Sequence, residues 1–574
     1  MKTIFSYLKP LAPRMSLGLI IKVTATMSEL LLPYILSHIL EFVVARQDLR
    51  AVFLWGGGMI FFAAIASVCN MTANRMAARV ARDFSERVRH DLFRRTLHLS
   101  AAQTDRFTIP SLESRITTDT YNIHNFIGMM QRMGVRAPIL LIGGIAITLM
   151  MDRNLALVMI ATLPLIFVTV YFISRKGVPL YTQVQRSVDG MVRVVREDTQ
   201  GIRVIKALSK TDYEHRRFDE ANRALVRDET RAGVTMGSVH PIMTMLMNCG
   251  IVGVVALSAS LVQDGLSSPE TVIAFTQYFT LISMAMMSVT RIFVMYTKFA
   301  ASARRIAEVL DAPEDLIVGS EKEFPPRSAD AHIEFDNVTF SYAGRRSDLE
   351  HVSFSLHKGG SLGIIGATGS GKSTLIKLLL RFYDVDSGGV YIHGRDVRTI
   401  PKDELYAMFG TAMQQDFLYA DTIEENIRFG RDLTHEQIAE AAVTAQAEDF
   451  ITGFADGYEH MLAQKGTNIS GGQKQRLLIA RAVAAKPEIL VLDDSSSALD
   501  YKTDAALRKA LTERMAGTTV VTVAQRVSSV KGSDLILVLD EGRIIGAGSH
   551  EHLLEHCPEY KELSDSQMGG ALID

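Results

Sequence analysis

Four stretches of this chain run for the length of a membrane span without one charged side chain. They are Ala51–Asn74, Leu155–Ile173, Ile242–Val262 and Thr271–Thr290, the last being the core of a segment that continues to 297. About 20 apolar residues carry a helix across the hydrocarbon core of a bilayer, so each stretch is long enough to span it. Two more segments have span length but hold charges: 16–44 with Lys22, Glu29, His38 and Glu41, and 126–151 with Arg132 and Arg136. A charge turned to lipid is costly, so these side chains are expected to face a cavity, a partner helix or the interface. Six spans result, which excludes a soluble protein.

The connections alternate. Those after the first, third and fifth spans are short: Ala45–Arg50, Asp152–Asn154 and Gln263–Glu270. Those after the second and fourth are long and rich in arginine, from Arg75 to Arg115 and from Arg175 to Lys206. Lysine and arginine beside span ends mark the cytoplasmic face. Both termini and both long connections are therefore expected inside. Having few helix breakers, the long connections should continue the spans as helices. The N-terminal MKTIFSYLKPLAPRMSLG is basic and leads into an apolar run, but one too long, and without the small-residue cleavage site, for a signal peptide.

Hydrophobic residues make up 48% of the 574 and charged residues still 22%, which fits a chain divided between a membrane part and a water-exposed part. A net charge of −2 gives no bulk electrostatic case for nucleic acid. Cys69, Cys249 and Cys557 stand too far apart for a disulfide framework or a CxxC metal pattern. The division falls at Asp311–Ala331, where Pro313, Gly319, Pro325, Pro326 and a run of acids mark a linker. Beyond it His332–Tyr342 alternates like a strand, and the short apolar runs SLGIIG, EILVLDD, TTVVTVA and DLILVLD read as buried parallel strands. The fold class expected is an all-α six-helix transmembrane domain over 1–310, a linker over 311–331, and an α/β P-loop domain over 332–574.

The strand reading at Ser361–Ile365 runs into Gly366-Ala-Thr368-Gly369-Ser370-Gly371-Lys372-Ser373-Thr374, with an apolar helix after it. This is GxxxxGK[ST] in its proper context. The glycines let backbone N–H groups face phosphates, and the helix N-terminus adds a favourable dipole. Lys372 supplies a charge for the β- and γ-phosphates, and Ser373 a hydroxyl for Mg²⁺. In Ile489-Leu-Val-Leu-Asp493-Asp494, a buried strand delivers a carboxylate to the same metal.

A third motif, Ile469-Ser470-Gly471-Gly472-Gln473, resembles the LSGGQ signature of ABC transporters, with isoleucine in place of leucine. With the phosphate motif, the strand acid and the span pattern, it makes the chain resemble an ABC transporter of the exporter architecture, an ATP-binding cassette following the membrane domain. The resemblance covers essentially the whole chain and is most specific in the ATP-binding half. It implies that Tyr342 stacks on adenine and that Gln414, in AMQQDFLYADTIEEN, contacts Mg²⁺ and senses the membrane domain; Gln415 is the other possible register. Ser470, Gly471, Gly472 and Gln473 would meet ATP held by a second half-transporter, and Asp500 would lie in a loop communicating across the dimer. Coupling helices are expected near Asp105–Glu113 and Thr211–Arg217.

Two positions depart from the family pattern. The acid after the strand is Asp494 where the family usually has the glutamate that polarises attacking water. The switch histidine is Gln525, in Val-Ala-Gln525-Arg526. A carboxylate one methylene short loses reach, and a displacement of about 1 Å can cost on the order of a hundredfold in rate. Glutamine can hydrogen-bond a phosphate but cannot become a cation. Both changes fall on hydrolysis, whereas Lys372, Ser373, Asp493 and Gln414 are kept. The expectation is an own site that binds MgATP and hydrolyses it slowly, in a heterodimer rather than a homodimer, within a bacterial inner membrane. Methionines 243, 245, 247, 284, 286 and 287 could make an adaptable surface for a lipophilic compound, lipid or peptide, or pack as ordinary membrane core. With no peptidase-like segment ahead of the first span, a leader-cleaving peptide exporter is disfavoured. An importer of the same architecture, for instance for a metal chelate, and an ATP-gated channel or regulator are the competing readings.

Overall fold

Two aspartates close the short turns between apolar helices. Asp48 accepts the N–H groups of Arg50 and Ala51 at 2.9 and 3.2 Å. Asp152 accepts those of Asn154 and Leu155 at 2.9 and 3.1 Å. Each thereby satisfies amides that a helix start leaves without partners. The helices behind these caps are long, Leu49–Leu97 and Arg153–Ala207, and run well past their apolar stretches as the breaker-poor sequence predicts.

The computed structural model describes residues 2–44, 46–263, 268–320, 322–327, 330–342, 344, 347–414 and 416–568. Gln415 and parts of the 263–270 connection and of the 311–331 linker lie outside them. The described chain forms two compact units: residues up to His98 with Phe107–Ala312, and Leu99–Arg106 with the chain from Pro313 onward.

Within the first unit, six helical runs are long and apolar enough to cross a membrane: Lys2–Val44, Leu49–Leu97, Ile109–Met151, Arg153–Ala207, Thr211–Gln263 and Glu270–Leu310. The apolar face of Leu49–Leu97 is turned outward, with Phe53 77% and Ile60 72% exposed, as a lipid-facing helix requires. Four of the charges inside the spans find polar partners. Lys22 is 3% exposed, and its ammonium donates to the side-chain carbonyls of Asn70 and Asn74. Arg136 forms an ion pair with Glu29 at 2.5 Å, and Arg132 donates to the Gly128 carbonyl at 3.0 Å. The third run is interrupted by π-helical turns at Arg115–Asp119 and Met130–Gly134. At the first of these, fully buried Asp119 accepts from Ser302 and Arg305. Of the six methionines, Met243 and Met286 are buried against Ile166, whereas Met245, Met284 and Met287 are exposed.

The expected coupling segments take different forms. The first lies on two short helices, Ala101–Phe107 and Ile109–Ser114. The second is no separate helix: Thr211–Arg217 forms the opening turns of Thr211–Gly237, because nothing after Lys210 breaks the helical pattern.

In the second unit the strands are β1 (Ile333–Phe340), β2 (Leu349–Leu356), β3 (Ser361–Gly366), β4 (Ser387–Ile392), β5 (Arg395–Asp396), β6 (Phe409–Ala412), β7 (Ile489–Asp493), β8 (Thr519–Val523), β9 (Leu535–Asp540) and β10 (Arg543–Gly548). One sheet has the order β2-β1-β4-β5 and the other β10-β9-β3-β8-β7-β6. The four apolar runs read from sequence are β3, β7, β8 and β9, and they pair in parallel. β7 shows why its first four residues are all apolar. Ile489 and Val491 pack into one core with the helix Lys372–Leu379, while Leu490 and Leu492 pack into another with the helix Gly471–Val483. A strand covered on both faces has no polar side to show.

Candidate functional site

The turn after β3 is shaped by backbone proximity. A Cβ at Gly366 would lie 2.1 Å from the Leu539 carbonyl oxygen, so any side chain would push β3 and β9 apart. Gly371 has φ +101° and leads directly into the helix Lys372–Leu379, whose first amides point into the loop. The Lys372 ammonium curls over this loop and donates to the carbonyls of Gly366 and Ala367 at 2.9 and 2.7 Å. Burial pulls its pKa below the ordinary lysine value, and the carboxylates of Asp493 and Asp494 oppose the shift. Such a loop at a helix N-terminus makes an anion-binding mouth.

A cavity of about 150 Å³ opens there, lined by Thr368, Gly369, Gly371, Lys372, Ser373 and Thr374 from the loop and by Gln414, Asp493, Asp494 and Gln525 from beyond it. Gly366 and Ser370 shape the loop without lining the cavity. Ser370 is 3% exposed, and its carbonyl accepts the Gly542 N–H at 3.1 Å.

At the carboxyl end of β7, Asp493 is 3% exposed and stands 3.5 Å from the Ser373 hydroxyl. Burial raises its pKa and the Ser373 hydrogen bond holds it back. Asp494 follows with φ +49°, its N–H donating to the Val523 carbonyl at 2.9 Å. One oxygen of its carboxylate accepts from both glutamines, Gln414 at 3.2 Å and Gln525 at 3.1 Å. Burial again raises the pKa, and these two amides lower it.

Tyr342 is 44% exposed, with its hydroxyl 3.4 Å from that of Thr374. Its other side is fixed by Tyr383, edge to face at 5.1 Å between centroids. Tyr383 in turn donates its hydroxyl to Asp105 in the Leu99–Arg106 segment. The second predicted group stands apart from the cavity lining. Ser470 caps the helix Gly471–Val483 in a reciprocal box with Gln473, at 3.2 and 2.9 Å. Gly472 approaches the Ala498 carbonyl closely enough that a Cβ would sit at 3.2 Å. Asp500 caps the helix Tyr501–Arg514 through the amide and hydroxyl of Thr503, which hold its pKa below the usual carboxylate range.

Three residues escaped the motif reading. Gln475 binds the signature helix to the following loop, donating to Ser497 at 3.2 Å and accepting from Ala498 at 2.9 Å. Gln567, near the end of the described chain, donates to the Gln525 carbonyl at 2.9 Å and accepts from Val527 N–H at 2.8 Å. Tyr383 is the third. Gln475 was within reach as part of the GGQKQR run; Gln567 and Tyr383 carry no local pattern.

A glycine loop between a parallel strand and a helix, with strand acids beside it, defines a P-loop nucleotide-binding unit, and the other unit carries six helices long and apolar enough to cross a membrane. Family comparison agrees with both halves. Residues 15–286 match the ABC transporter transmembrane region and residues 349–497 match ABC transporter. The uncharacterized ABC transporter ATP-binding protein YfiB of Bacillus subtilis is 34% identical over 99% of both chains. YknU of the same organism, likewise described as uncharacterized, is 32% identical over 84% of this chain and 82% of its own. A solved structure of a bacterial Atm1-family ABC exporter with ATP bound has the same fold, with TM-score 0.81 and 23% identity, covering 98% of this chain and 99% of that one. The chain belongs to the ABC transporters: it is an integral membrane protein in which ATP hydrolysis is coupled to transport, with the membrane and ATP-binding regions fused in exporter-type order.

Proposed function

We propose that this chain is one half of an ATP-driven exporter whose own nucleotide site holds MgATP and hydrolyses it slowly, completed by a second and different half-transporter. The observation that carries this reading is the setting of Asp494. It is the short acid where a glutamate would reach further, and one of its oxygens already accepts from Gln414 and Gln525. Lone pairs engaged by two amides are less free to take a proton from water, and Gln525 has no charged form with which to stabilise the departing phosphate.

The holding residues support tight binding. Lys372 and the loop amides would take the phosphates, with Thr368, Gly369, Ser370, Gly371 and Thr374 forming the cradle and Tyr342 stacking on adenine. Ser373 and Asp493 present two oxygens on the same side of the cavity. Mg²⁺ fits that donor set, since it takes one or two protein oxygens and completes its octahedron with phosphate and water. When bound, the ion neutralises phosphate charge. Gln414 reaches the same cavity and would sense its state. The capped, well-ordered Ser470–Gln473 start would serve ATP on the partner's loop, so the competent site would combine this chain's signature with the partner's acid and switch residue.

Closure of two such units around two ATP molecules would turn the membrane cavity outward, driven by the different affinity of the two conformations for ATP. The transported compound is taken to be lipophilic: a small molecule, lipid or peptide. Exposed Met245, Met284 and Met287 support an adaptable apolar surface. The arginine-rich long connections support a cytoplasmic ATP-binding unit in a bacterial inner membrane. The test is steady-state ATPase of the purified chain alone, and then with the product of a neighbouring half-transporter gene. Near-zero turnover alone with MgATP still bound, and robust turnover in the pair, is expected. Robust turnover by this chain alone overturns the reading and makes it a homodimer.

A further inference from the structure

At the opposite end of β7 from Asp493, three potential metal ligands converge. His332 precedes β1, His393 lies in the turn between β4 and β5, and Glu488 immediately precedes β7. Each offers one ligand atom, and the three atoms lie within 4.8 Å of one another. The His393 Nε2 is 3.0 Å from a Glu488 carboxylate oxygen, and the His332 Nε2 is 3.9 Å from the same oxygen. Ligands about 2.1 Å from a tetrahedral ion stand roughly 3.4 Å from each other, so small side-chain rotations would close this set on one ion.

The buried histidine points to a ligand. The His332 side chain is fully buried, and its Nε2 has no hydrogen-bond partner among the described residues. Its other ring nitrogen, Nδ1, lies 2.5 Å from the Thr519 hydroxyl, which also accepts the Gly359 N–H at 2.9 Å. With Nδ1–H donated to Thr519, Nε2 carries a lone pair directed at Glu488 and His393. A metal-bound histidine is ordinarily held through its second nitrogen in this way. The backbones are fixed: His393 N–H donates to the His332 carbonyl at 3.0 Å, and Thr519 N–H to the Glu488 carbonyl at 2.9 Å. Glu488 and His393 keep 49% and 35% of their side chains exposed, which leaves an entry path and room for water on the ion.

We propose that His332, His393 and Glu488 form a binding site for a divalent first-row transition metal ion, separate from the nucleotide site, that staples the four-stranded antiparallel sheet to the mixed six-stranded one. Two imidazoles and a carboxylate suit Zn²⁺ and its neighbours and are a poor set for Mg²⁺, which prefers oxygen. β7 spans the distance between this site and Asp493, roughly 17 Å at the rise of an extended strand. An ion bound here therefore would not touch ATP.

The test uses the full-length detergent-solubilised chain, made without a polyhistidine tag and stripped with a chelator. Zn²⁺ is titrated against a chromogenic competitor, and Co²⁺ is added separately to read its visible d–d absorption. Wild-type protein is expected to bind one Zn²⁺ per chain at this site. In His393→Ala and Glu488→Gln that affinity should fall at least about tenfold, since even outer-shell changes cost this much. The Co²⁺ band and the Zn²⁺-dependent rise in thermal midpoint should be lost in His393→Ala. Both variants alter half-exposed side chains, and retained MgATP binding would show that they fold. Equal Zn²⁺ affinity in wild type and both variants, or no Zn²⁺ retained by wild type against the competitor, overturns the proposal.

Discussion

The phosphate loop and the corner around Asp494 belong to one sheet and line one cavity, but they are built differently. The loop is a single stretch, Gly366–Thr374, and much of what it offers is backbone held by close approach to Leu539. The corner is assembled from side chains of distant segments: Gln414 before the helix Ile423–Arg428, Asp494 after β7, Gln525 after β8, and Gln567 from the C-terminal helix. A backbone-made site is insensitive to most side-chain drift. A side-chain corner can be detuned one residue at a time while the grip on the nucleotide is kept, and two replacements at the corner beside an intact loop fit that distinction.

The largest effect should come from the loop. Lys372→Ala removes the only lysine among the cavity's described lining residues. A hydrogen bond to a charged group contributes up to about 3 kcal/mol, so MgATP affinity, measured by equilibrium binding of a fluorescent analogue, should fall on the order of a hundredfold. A loss under threefold would mean that the loop amides suffice. Next comes Asp494→Glu in the assembled pair, read as turnover with the partner's own strand acid disabled. About a tenfold rise is expected, part of the hundredfold that a misplacement of about 1 Å can cost. Adding Gln525→His should raise it further by supplying an ionisable switch. If neither change moves turnover while MgATP binding stays normal, the corner's chemistry does not limit this site and the comparison fails.

The same contrast explains what could be read without coordinates. The loop, the strand acid and the signature are local patterns, each needing under ten consecutive residues; the loop lies between β3 and a helix and the acid at the end of β7. The six spans were legible because the bilayer sets a fixed length of apolar helix, and the pairing of Lys22, Glu29 and Arg136 followed from the cost of charge in lipid. β2, β4, β5, β6 and β10 escaped notice because they are short, glycine-bearing or polar on one face, so tertiary pairing rather than local preference decides them. The role of Asp500 as a helix cap was hidden behind its family role, though Asp-Tyr-Lys-Thr ahead of a helix is a capping pattern. Gln567, Tyr383 and the His332–His393–Glu488 group depend on contacts between segments far apart in the chain, and no spacing rule reaches them.

Gln567 offers the smallest and sharpest cut. It fastens the backbone on both sides of Arg526, accepting from Val527 and donating to Gln525. Gln567→Ala removes two neutral hydrogen bonds, each contributing about 0.5–1.5 kcal/mol, so stability should drop by about 1–3 kcal/mol in a denaturant titration. Because the loop from Gly366 to Thr374 makes no hydrogen bond to this residue among those described, MgATP affinity should change less than twofold. The substitution should, however, reduce the gain obtained from Gln525→His, since a histidine on a loosened backbone is held less well against the phosphate. A loss of MgATP affinity as large as that of Lys372→Ala would show that the grip and the corner are mechanically one. The two replacements at Asp494 and Gln525 could then not have slowed hydrolysis while sparing binding.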